Sequence, residues 1–450
     1  MKQAGSLIVD DEADYQPHNT LVEWIDEWSF KTANTATYTH KIHRYPAMFI
    51  PQLVRKIIDQ YTQAGDTVLD IFNGSGSTMV ECYLTGRNAI GIELNPLANL
   101  IAKVKTTIVE PEQLYVCFSD FEKKFKNAKT KANLVEFKNV DFWFEADAKK
   151  WISKALAVID DIGDEDIGDF FKVCLSEIIR EVSICKHSGF KMHRDVAKIG
   201  VAISDVDFFE RFKKVFVKNV RGIEAFNGRA KAFKVKKTQI QGNSTHRQSE
   251  IGEESVDLIL TSPPYGDSQT TVAYGQFSRL SSQCLGLALD GLEDIGNVDR
   301  ELLGGKKLAV EHYANLMSRS NTLRNAVEFF QAKIAEIDLG KDDRKKLELR
   351  LNDVMSFYYD LDLCLKNGAY YLKKKKHFVL VTGSRVVKMI KLHTDLIIAE
   401  LADAYGLELT AIFYRNIENK RMPSKVSATN VIGEIAPTMT RESIVVLRKM

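Results

Sequence analysis

The sequence contains little proline, with 9 prolines in 450 residues. Because proline fixes φ and has no backbone N–H to donate, a scarce proline marks a turn that must be rigid. Several prolines cluster in short motifs, namely Pro46, Pro51, Pro96, Pro263 and Pro264. The long tracts 112–262 and 265–422 lack proline, and we predict that they are largely helical.

Cysteine is also scarce, since the chain has 6 cysteines and no Cys-x-x-Cys pair. This pattern argues against a disulfide framework and a zinc site, so we predict no bound metal and a reducing, cytoplasmic location. No apolar run reaches the ~18–20 residues of a membrane span. Residues 1–14 lack the basic-then-apolar order of a signal peptide, so no membrane contact is expected.

A strong excess of charge is missing as well, because the formal net charge is only +2. A nucleic-acid partner must therefore be inferred from local basic clusters. The clearest cluster is 211–237, in which phenylalanines alternate with lysines and arginines and Glu224 is the only acid. A solvated helix face is the alternative interpretation of such a tract.

The most informative segment is a buried-strand pattern that ends in two adjacent prolines. Residues 256–260 are mostly apolar, as in a buried parallel strand. The turn that follows consists of Ser262, Pro263, Pro264 and Tyr265. Two prolines hold such a turn rigid and extended with its carbonyls free. A planar ring that bears an amino group can bond there to the serine hydroxyl and a proline carbonyl, and can stack on the tyrosine.

A second motif places a glycine turn between a strand and a helix. The strand pattern 67–72 is followed by Asn73-Gly74-Ser75-Gly76-Ser77-Thr78, in which glycines permit a sharp turn and the hydroxyls cap a helix. The next strand pattern, 88–94, ends near Glu93, and an acid at this place binds ribose hydroxyls in nucleotide folds. The nicotinamide dinucleotide fingerprint requires a third glycine near position 79, where this chain has Met79.

The spacing Asp70-x-Phe72-x-Gly74-x-Gly76 instead resembles the S-adenosylmethionine motif of class I methyltransferases. Together with the Ser-Pro-Pro-Tyr turn, it resembles the amino-group DNA methyltransferases, which methylate cytosine N4 or adenine N6. The Asn95-Pro96 pair matches the same family. The segment 43–51 resembles the one that these enzymes place beside the methionine end of the cofactor. The resemblance covers about half the chain, over 36–105, 238–275 and 355–450.

This resemblance implies S-adenosylmethionine as the cofactor and double-stranded DNA with one flipped base as the substrate. The residues that it implies for the cofactor are His43, Pro46, Asp70, Phe72, Asn73, Gly74, Gly76, Ser77, Thr78, Glu93, Leu94, Asn95 and Asn243. The catalytic residues are those of the Ser262–Tyr265 turn. The candidates for DNA contacts are Lys213, Lys214, Lys218, Tyr274, Phe277 and Arg421.

Strand and helix patterns alternate, which predicts an α/β fold with a doubly wound, mostly parallel sheet. The predicted strands are 67–72, 89–94, 239–242, 256–260, 377–382, 409–414 and 443–448. The family pattern makes this sheet seven-stranded, with an antiparallel last strand beside the sixth. The length implies a core with large insertions or several domains.

We divide the chain into a catalytic core and two insertions. The core comprises 36–105, 238–267 and 355–450. We expect 106–237 to be a helical insertion whose basic end contacts the DNA backbone. The helical insertion 268–354 leaves the catalytic strand at its carboxyl end, the side on which ligands bind, so we expect it to read the bases.

The predicted activity is site-specific methylation of cytosine N4 in duplex DNA, as the modification half of a restriction-modification system with a restriction endonuclease encoded nearby. Ser262 favours cytosine, because adenine-specific relatives usually carry Asp or Asn there. Adenine N6 stays open as an alternative. Two other classes also remain: a methyltransferase of RNA or of protein glutamine, and a catalytically silent DNA-binding subunit.

Overall fold

We analysed a computed structural model that describes residues 21–127, 131–186, 189–267, 271–336, 340–388, 390–417, 425–427, 435–437 and 441–450. The strands are β1 Leu21–Trp24, β2 Thr67–Asp70, β3 Asn88–Glu93, β4 Lys237–Gln241, β5 Val256–Thr261, β6 Leu372–Thr382, β7 Arg385–Val387, β8 Ile390–Leu392, β9 Leu407–Asn416, β10 Lys425–Ser427, β11 Ile435–Pro437 and β12 Arg441–Lys449. The helices are α1 Pro51–Tyr61, α2 Ser77–Thr85, α3 Pro96–Lys105, α4 Pro111–Lys126, α5 Val140–Trp143, α6 Ala146–Asp160, α7 Glu165–Val182, α8 Asp205–Ala230, α9 Tyr274–Cys284, α10 Tyr313–Arg319, α11 Asn321–Ile334, α12 Lys341–Tyr371 and α13 Thr394–Asp403.

The central sheet has eight strands in the order β1-β9-β12-β6-β5-β2-β3-β4. All seven predicted strands are in this sheet. β12 runs antiparallel to both β6 and β9, and the remaining neighbours are parallel. The predicted fold class, with an inserted antiparallel last strand, is therefore confirmed. The eighth strand, β1, was not predicted and lies at the edge, parallel to β9.

Alternating side chains of the central strands divide the core into two layers. On one face Val68, Leu258 and Leu260 pack with α1 and the start of α2. On the other face Leu69 and Ile259 pack with helices α10 to α13. This period of two is what a strand buried on both faces requires.

The first insertion builds a core of its own on the outer side of α3. Phenylalanines of α8 interleave with those of α4 and α7 in this core; they include Phe208, Phe209, Phe212 and Phe216. These phenylalanines therefore form the buried face of an amphipathic helix. Lys213 and Lys214 occupy the opposite, exposed face, and Lys218 is half-buried.

The second insertion divides between two neighbours. Helix α9 packs against α3 of the core and α7 of the first insertion, whereas α10 and α11 pack against α12 and α13. The predicted border at 354/355 lies inside α12, which continues without a break into β6. The helical character of both insertions is seen, but their roles in contacting DNA stay predictions.

Candidate active site

The carboxyl ends of β2, β3, β4 and β5 surround a cavity. Most of the predicted site residues line it: Pro46, Asp70, Phe72, Asn73, Gly74, Ser77, Glu93, Leu94, Asn95, Asn243, Ser262, Pro264 and Tyr274. Motifs that are almost two hundred positions apart in the sequence thus meet at one edge of the parallel sheet, as ligand sites in such sheets do. His43, Gly76, Thr78, Pro263 and Tyr265 do not contribute to its lining.

Glu93 ends β3 and directs its carboxylate toward the cavity. Its Oε2 accepts a hydrogen bond from the backbone N–H of Gly74 at 2.8 Å, and its Oε1 accepts one from that of Asn95 at 2.7 Å. Each oxygen keeps a further lone pair for a ligand hydroxyl. Burial raises the pKa of Glu93 to about 7, although the two backbone donors oppose this shift.

Asp70 is buried at the end of β2 and holds the surrounding backbone together. It accepts hydrogen bonds from the hydroxyls of Thr78 and Thr261, both at 2.6 Å, and from the N–H of Phe72 at 3.0 Å. Burial raises the pKa of Asp70 to about 6. Thr78 therefore acts through Asp70, which ties the start of α2 to the catalytic strand β5.

The glycine turn has the shape that a close-fitting ligand needs. Gly74 and Gly76 have positive φ values of 50° and 84°. A side chain at Gly76 would place its Cβ 2.8 Å from that of Ala102, so this glycine permits the packing of the turn on α3. Asn73 is 4% exposed, and neither polar atom of its amide has a partner within the described residues. An unpaired buried amide beside a cavity fits a polar ligand.

The catalytic turn leaves β5 at the rim of the same cavity. Ser262 and Pro264 line the cavity, whereas Pro263 is buried behind them. The hydroxyl of Tyr265 donates a hydrogen bond to Glu442 of β12 at 2.9 Å. The ring of Tyr265 is thereby anchored to the sheet, and its predicted stacking on the base stays a prediction.

Aromatic rings from two separate elements form one wall. Tyr45 stacks on Tyr274 of α9 with ring centroids 6.2 Å apart. Phe277 meets the rings of His43 and Tyr45 edge to face, at 6.1 and 5.8 Å, and lies behind this wall. Burial, with smaller contributions from Lys218 and Lys105, lowers the pKa of His43 to about 3, so its imidazole is neutral. His43 and Phe277 therefore support the wall from outside the cavity.

The two predicted asparagines are held by neighbouring groups. Asn95 caps α3 by accepting from the N–H of Leu97 at 3.1 Å, and its amide donates to Ser278 of α9 at 2.9 Å. The amide of Asn243 donates to the backbone oxygen of Glu301 at 3.1 Å. The latter contact brings residues 301–303 into the cavity lining. No sequence motif marks these residues as part of the site.

The predicted DNA-backbone lysines share one surface depression on α8. It is lined by Lys41, Glu210, Lys213, Lys214, Val217, Lys218 and Arg221. Lys213 and Lys214 are exposed, whereas Lys218 forms an ion pair with Glu177 at 2.6 Å. Two lysines are thus positioned to meet an anionic partner, and the third is already neutralised within the protein. Arg421 lies outside the described residues.

A solved structure of the rRNA methyltransferase aviRa from Streptomyces viridochromogenes aligns over 94% of both chains, with a TM-score of 0.31 and 9% identity. The family model N6_N4_Mtase, described as DNA methylase, matches residues 9–103. The type II methyltransferase M.MjaII of Methanocaldococcus jannaschii is 36% identical over 117 residues, which are 26% of this chain and 22% of that protein.

The type II methyltransferase M.MvaI of Kocuria varians is similar over almost the full length. It is 35% identical to this chain over 438 residues, which cover 93% of each protein. The similarity therefore includes the cofactor motifs, the catalytic turn and both insertions. This chain belongs to the S-adenosylmethionine-dependent amino-group DNA methyltransferases of restriction-modification type.

Proposed function

We propose that this protein methylates the exocyclic N4 of cytosine at a specific site in duplex DNA, as the modification half of a restriction-modification system. The observation that supports this most directly is the meeting of two motifs at one cavity. Ser262 and Pro264 of the catalytic turn line the same space as Glu93 and the glycine turn. A target base at the turn would therefore lie beside the cofactor.

The residues at the cavity fit S-adenosylmethionine. Glu93 offers free lone pairs for the ribose hydroxyls, and the unpaired amide of Asn73 lies beside the glycine turn. Phe72 and Tyr274 supply flat apolar surface. When bound, the cofactor supplies a methyl group on a positively charged sulfur that a nitrogen lone pair can attack.

The chain's contribution to the reaction is mainly orientation. Ser262 Oγ and the Pro263 carbonyl accept hydrogen bonds from the amino group of a base that has left the duplex. These bonds draw the nitrogen lone pair out of conjugation with the ring and direct it toward the cavity. Tyr265 stacks on the base, and its hydroxyl bond to Glu442 fixes the ring. Such positioning and electrostatic effects supply most of the rate without a strong base.

The choice of cytosine rests on Ser262. The amino group of cytosine lies beside N3, an acceptor that a carboxylate at the turn would repel. A hydroxyl can accept from the amino group or donate to N3, so it suits this edge without added charge. Adenine N6 also lies beside a ring nitrogen, and it is the second candidate for the target.

For DNA contacts, we assign the phosphates to Lys213 and Lys214, supported by Lys218, because the first two are exposed on α8. We assign base reading to the second insertion, which leaves β5 at the cavity. The proposal places the protein in the cytoplasm, associated with the nucleoid, together with a cognate restriction endonuclease.

A direct test combines radiolabelled methyl transfer with nucleoside mass spectrometry. We expect label from S-adenosylmethionine in duplex DNA and not in RNA or protein, with N4-methylcytosine as the product. A Glu93→Ala variant serves as the control with an impaired cofactor site. Detection of N6-methyladenine alone would identify adenine N6 as the target instead of cytosine N4. Tight cofactor binding without turnover on any DNA would indicate a silent subunit.

A further inference from the structure

A lysine at the end of α3 is buried without a carboxylate partner. Lys105 is 0% exposed, and its Nζ lies 3.1 Å from the hydroxyl of Ser75 and 3.9 Å from the sulfur of Met48. Within the described residues, neither a hydrogen bond nor an ion pair joins this ammonium to an acid. A buried charge without a partner is costly, because desolvation is not compensated.

The charged groups around Lys105 do not offer compensation. Lys218 of α8 and the neutral His43 lie near it, and burial together with Lys218 lowers the pKa of Lys105 to about 7. The nearby acids are already engaged, since Glu177 pairs with Lys218 and Glu81 pairs with His40 and Arg55. The positive charge of Lys105 is therefore uncompensated, and one further negative charge beside it would be stabilising.

The two atoms that Nζ contacts belong to residues of the cofactor cavity. Ser75 is part of the glycine turn, and Met48 belongs to the upstream segment on the facing side. The same turn leads into α2, whose first N–H groups favour an anion. Lys105 and these N–H groups therefore offer positive charge beside Ser75, whereas the carboxylate of Glu93 offers negative charge to ligand hydroxyls.

We propose that the ammonium of Lys105 is the counter-ion for the α-carboxylate of the methionine part of S-adenosylmethionine, and that it selects ligands that carry this carboxylate. Recognition of the cofactor by Lys105 is independent of which base is methylated. Lys105 is a binding residue in this assignment, with Ser75 as the group that orients its ammonium.

Calorimetry can test this with two ligands that share the adenosine and thioether parts. S-adenosylhomocysteine carries the carboxylate, whereas 5′-methylthioadenosine lacks it. We expect Lys105→Met to weaken binding of S-adenosylhomocysteine roughly 10- to 100-fold, the range for loss of a charge-assisted bond. Binding of 5′-methylthioadenosine should be unchanged. The matched control is Lys103→Met, because Lys103 lies on the same helix but pairs with Glu165 and Asp169.

Proton linkage gives a second test that needs no variant. A carboxylate next to Lys105 raises its pKa, so the wild-type protein should take up as much as about one proton when it binds S-adenosylhomocysteine at pH 8. Titrations in buffers of different ionisation enthalpy measure this number. At pH 8, Glu93 is already largely ionised and contributes little. Burial lowers the pKa values of His40 and His43, so both imidazoles stay neutral at pH 8.

Two results would overturn the assignment. Equal losses for both ligands in Lys105→Met would show that the lysine only supports the fold of the cavity. Absence of proton uptake by the wild-type protein with S-adenosylhomocysteine would show that no anion approaches Lys105. Both measurements omit DNA. A negative result would therefore reject the role of Lys105 without affecting the proposal for cytosine, and a different target base would not affect the role of Lys105.

Discussion

The hydroxyl of Tyr265 donates a hydrogen bond to Glu442, and the same carboxylate pairs with the buried guanidinium of Arg415. Arg415 is 2% exposed and also donates to the backbone oxygen of Trp28 at 3.2 Å. The catalytic turn is thereby connected to β9, β12 and the segment that follows β1. This connection gives the segment after the edge strand a role in holding the aromatic ring of the turn.

Removal of Glu442 should destabilise the protein strongly. In Glu442→Ala, Arg415 would remain buried without a charge partner, which costs about 3–5 kcal/mol in comparable cases. Chemical denaturation should show this loss in the free energy of unfolding. The control is Glu408→Ala, since Glu408 is exposed on the neighbouring strand. If both variants are equally stable, the ion pair contributes nothing.

Two substitutions of Tyr265 distinguish the contribution of its hydroxyl from that of its ring. Tyr265→Phe removes one hydrogen bond and should cost about 1 kcal/mol of stability while it keeps the ring. Tyr265→Ala also removes the stacking surface, worth about 1–3 kcal/mol per base, so its turnover should fall well below that of Tyr265→Phe. Steady-state kinetics on duplex DNA measure the difference. Similar turnover in both variants would contradict the stacking role.

Glu93 should determine cofactor affinity and its pH dependence. Glu93→Gln is expected to weaken binding of S-adenosylhomocysteine about 10- to 100-fold, because ribose hydroxyls bond more strongly to a carboxylate. The pKa of about 7 in the free protein means that the carboxyl is protonated in acid. Protonation of Glu93 should therefore lower the affinity by up to about tenfold per unit below pH 7, and loss of the proton of Lys105 should lower it above pH 7.

Calorimetry between pH 5.5 and about 8.5 measures this dependence. Below pH 7, Glu93→Gln should show a much flatter profile, since the residue no longer titrates, whereas the fall above pH 7 that Lys105 causes should remain. Asp70 has a pKa raised to about 6 in the same cavity, and any remaining slope near that value is assigned to it. Glu112→Gln, an exposed change on α4, is the control. A wild-type profile without slope would exclude an ionised Glu93 as the ribose acceptor.

The strands and the cofactor turn were predictable because their signals are local. Alternating burial, a glycine turn and a double proline each report on a few adjacent residues. β1 was missed since it has only four residues, and Leu21 and Trp24 are about half exposed. Its position depends on pairing with β9, a contact between distant parts of the chain that no local pattern encodes.

At the candidate active site, too, the contacts between distant parts of the chain could not be predicted from local patterns. Tyr274, a predicted DNA contact, lines the same cavity as Ser262 because α9 packs on α3 and α7, and its contact with DNA stays a prediction. Residues 301–303 reach the cavity through tertiary packing of the second insertion, and Lys105 contacts Ser75 and Met48 of its lining. A lysine at the last turn of a helix is typical of a solvated position. Lys105 is buried because α3 packs against the glycine turn, and this contact cannot be read from the sequence around Lys105.

Lys213 and Lys214 should bind phosphates without regard to sequence. Reversal of both charges to Glu should weaken binding to all duplexes and reduce the slope of log affinity against log salt by about one for each phosphate that is no longer neutralised. Lys218 is best left unchanged, because it pairs with Glu177. Fluorescence anisotropy over a salt series measures the effect, with the exposed Lys56→Glu on α1 as control. An unaltered slope would identify this surface as a solvated helix face.

Ser262 should act on the rate of methyl transfer and not on DNA binding. Ser262→Ala removes the hydroxyl that accepts from the amino group, and loss of such a bond is expected to lower kcat about 10- to 100-fold. Ser262→Thr keeps a hydroxyl and should restore part of the rate. DNA affinity should stay constant in both variants, because phosphate contacts dominate it. Single-turnover kinetics with the exposed Ser249→Ala as control test this. Equal rates for Ser262→Ala and the wild type would leave the Pro263 carbonyl as the sole acceptor at the turn and would remove the argument for cytosine.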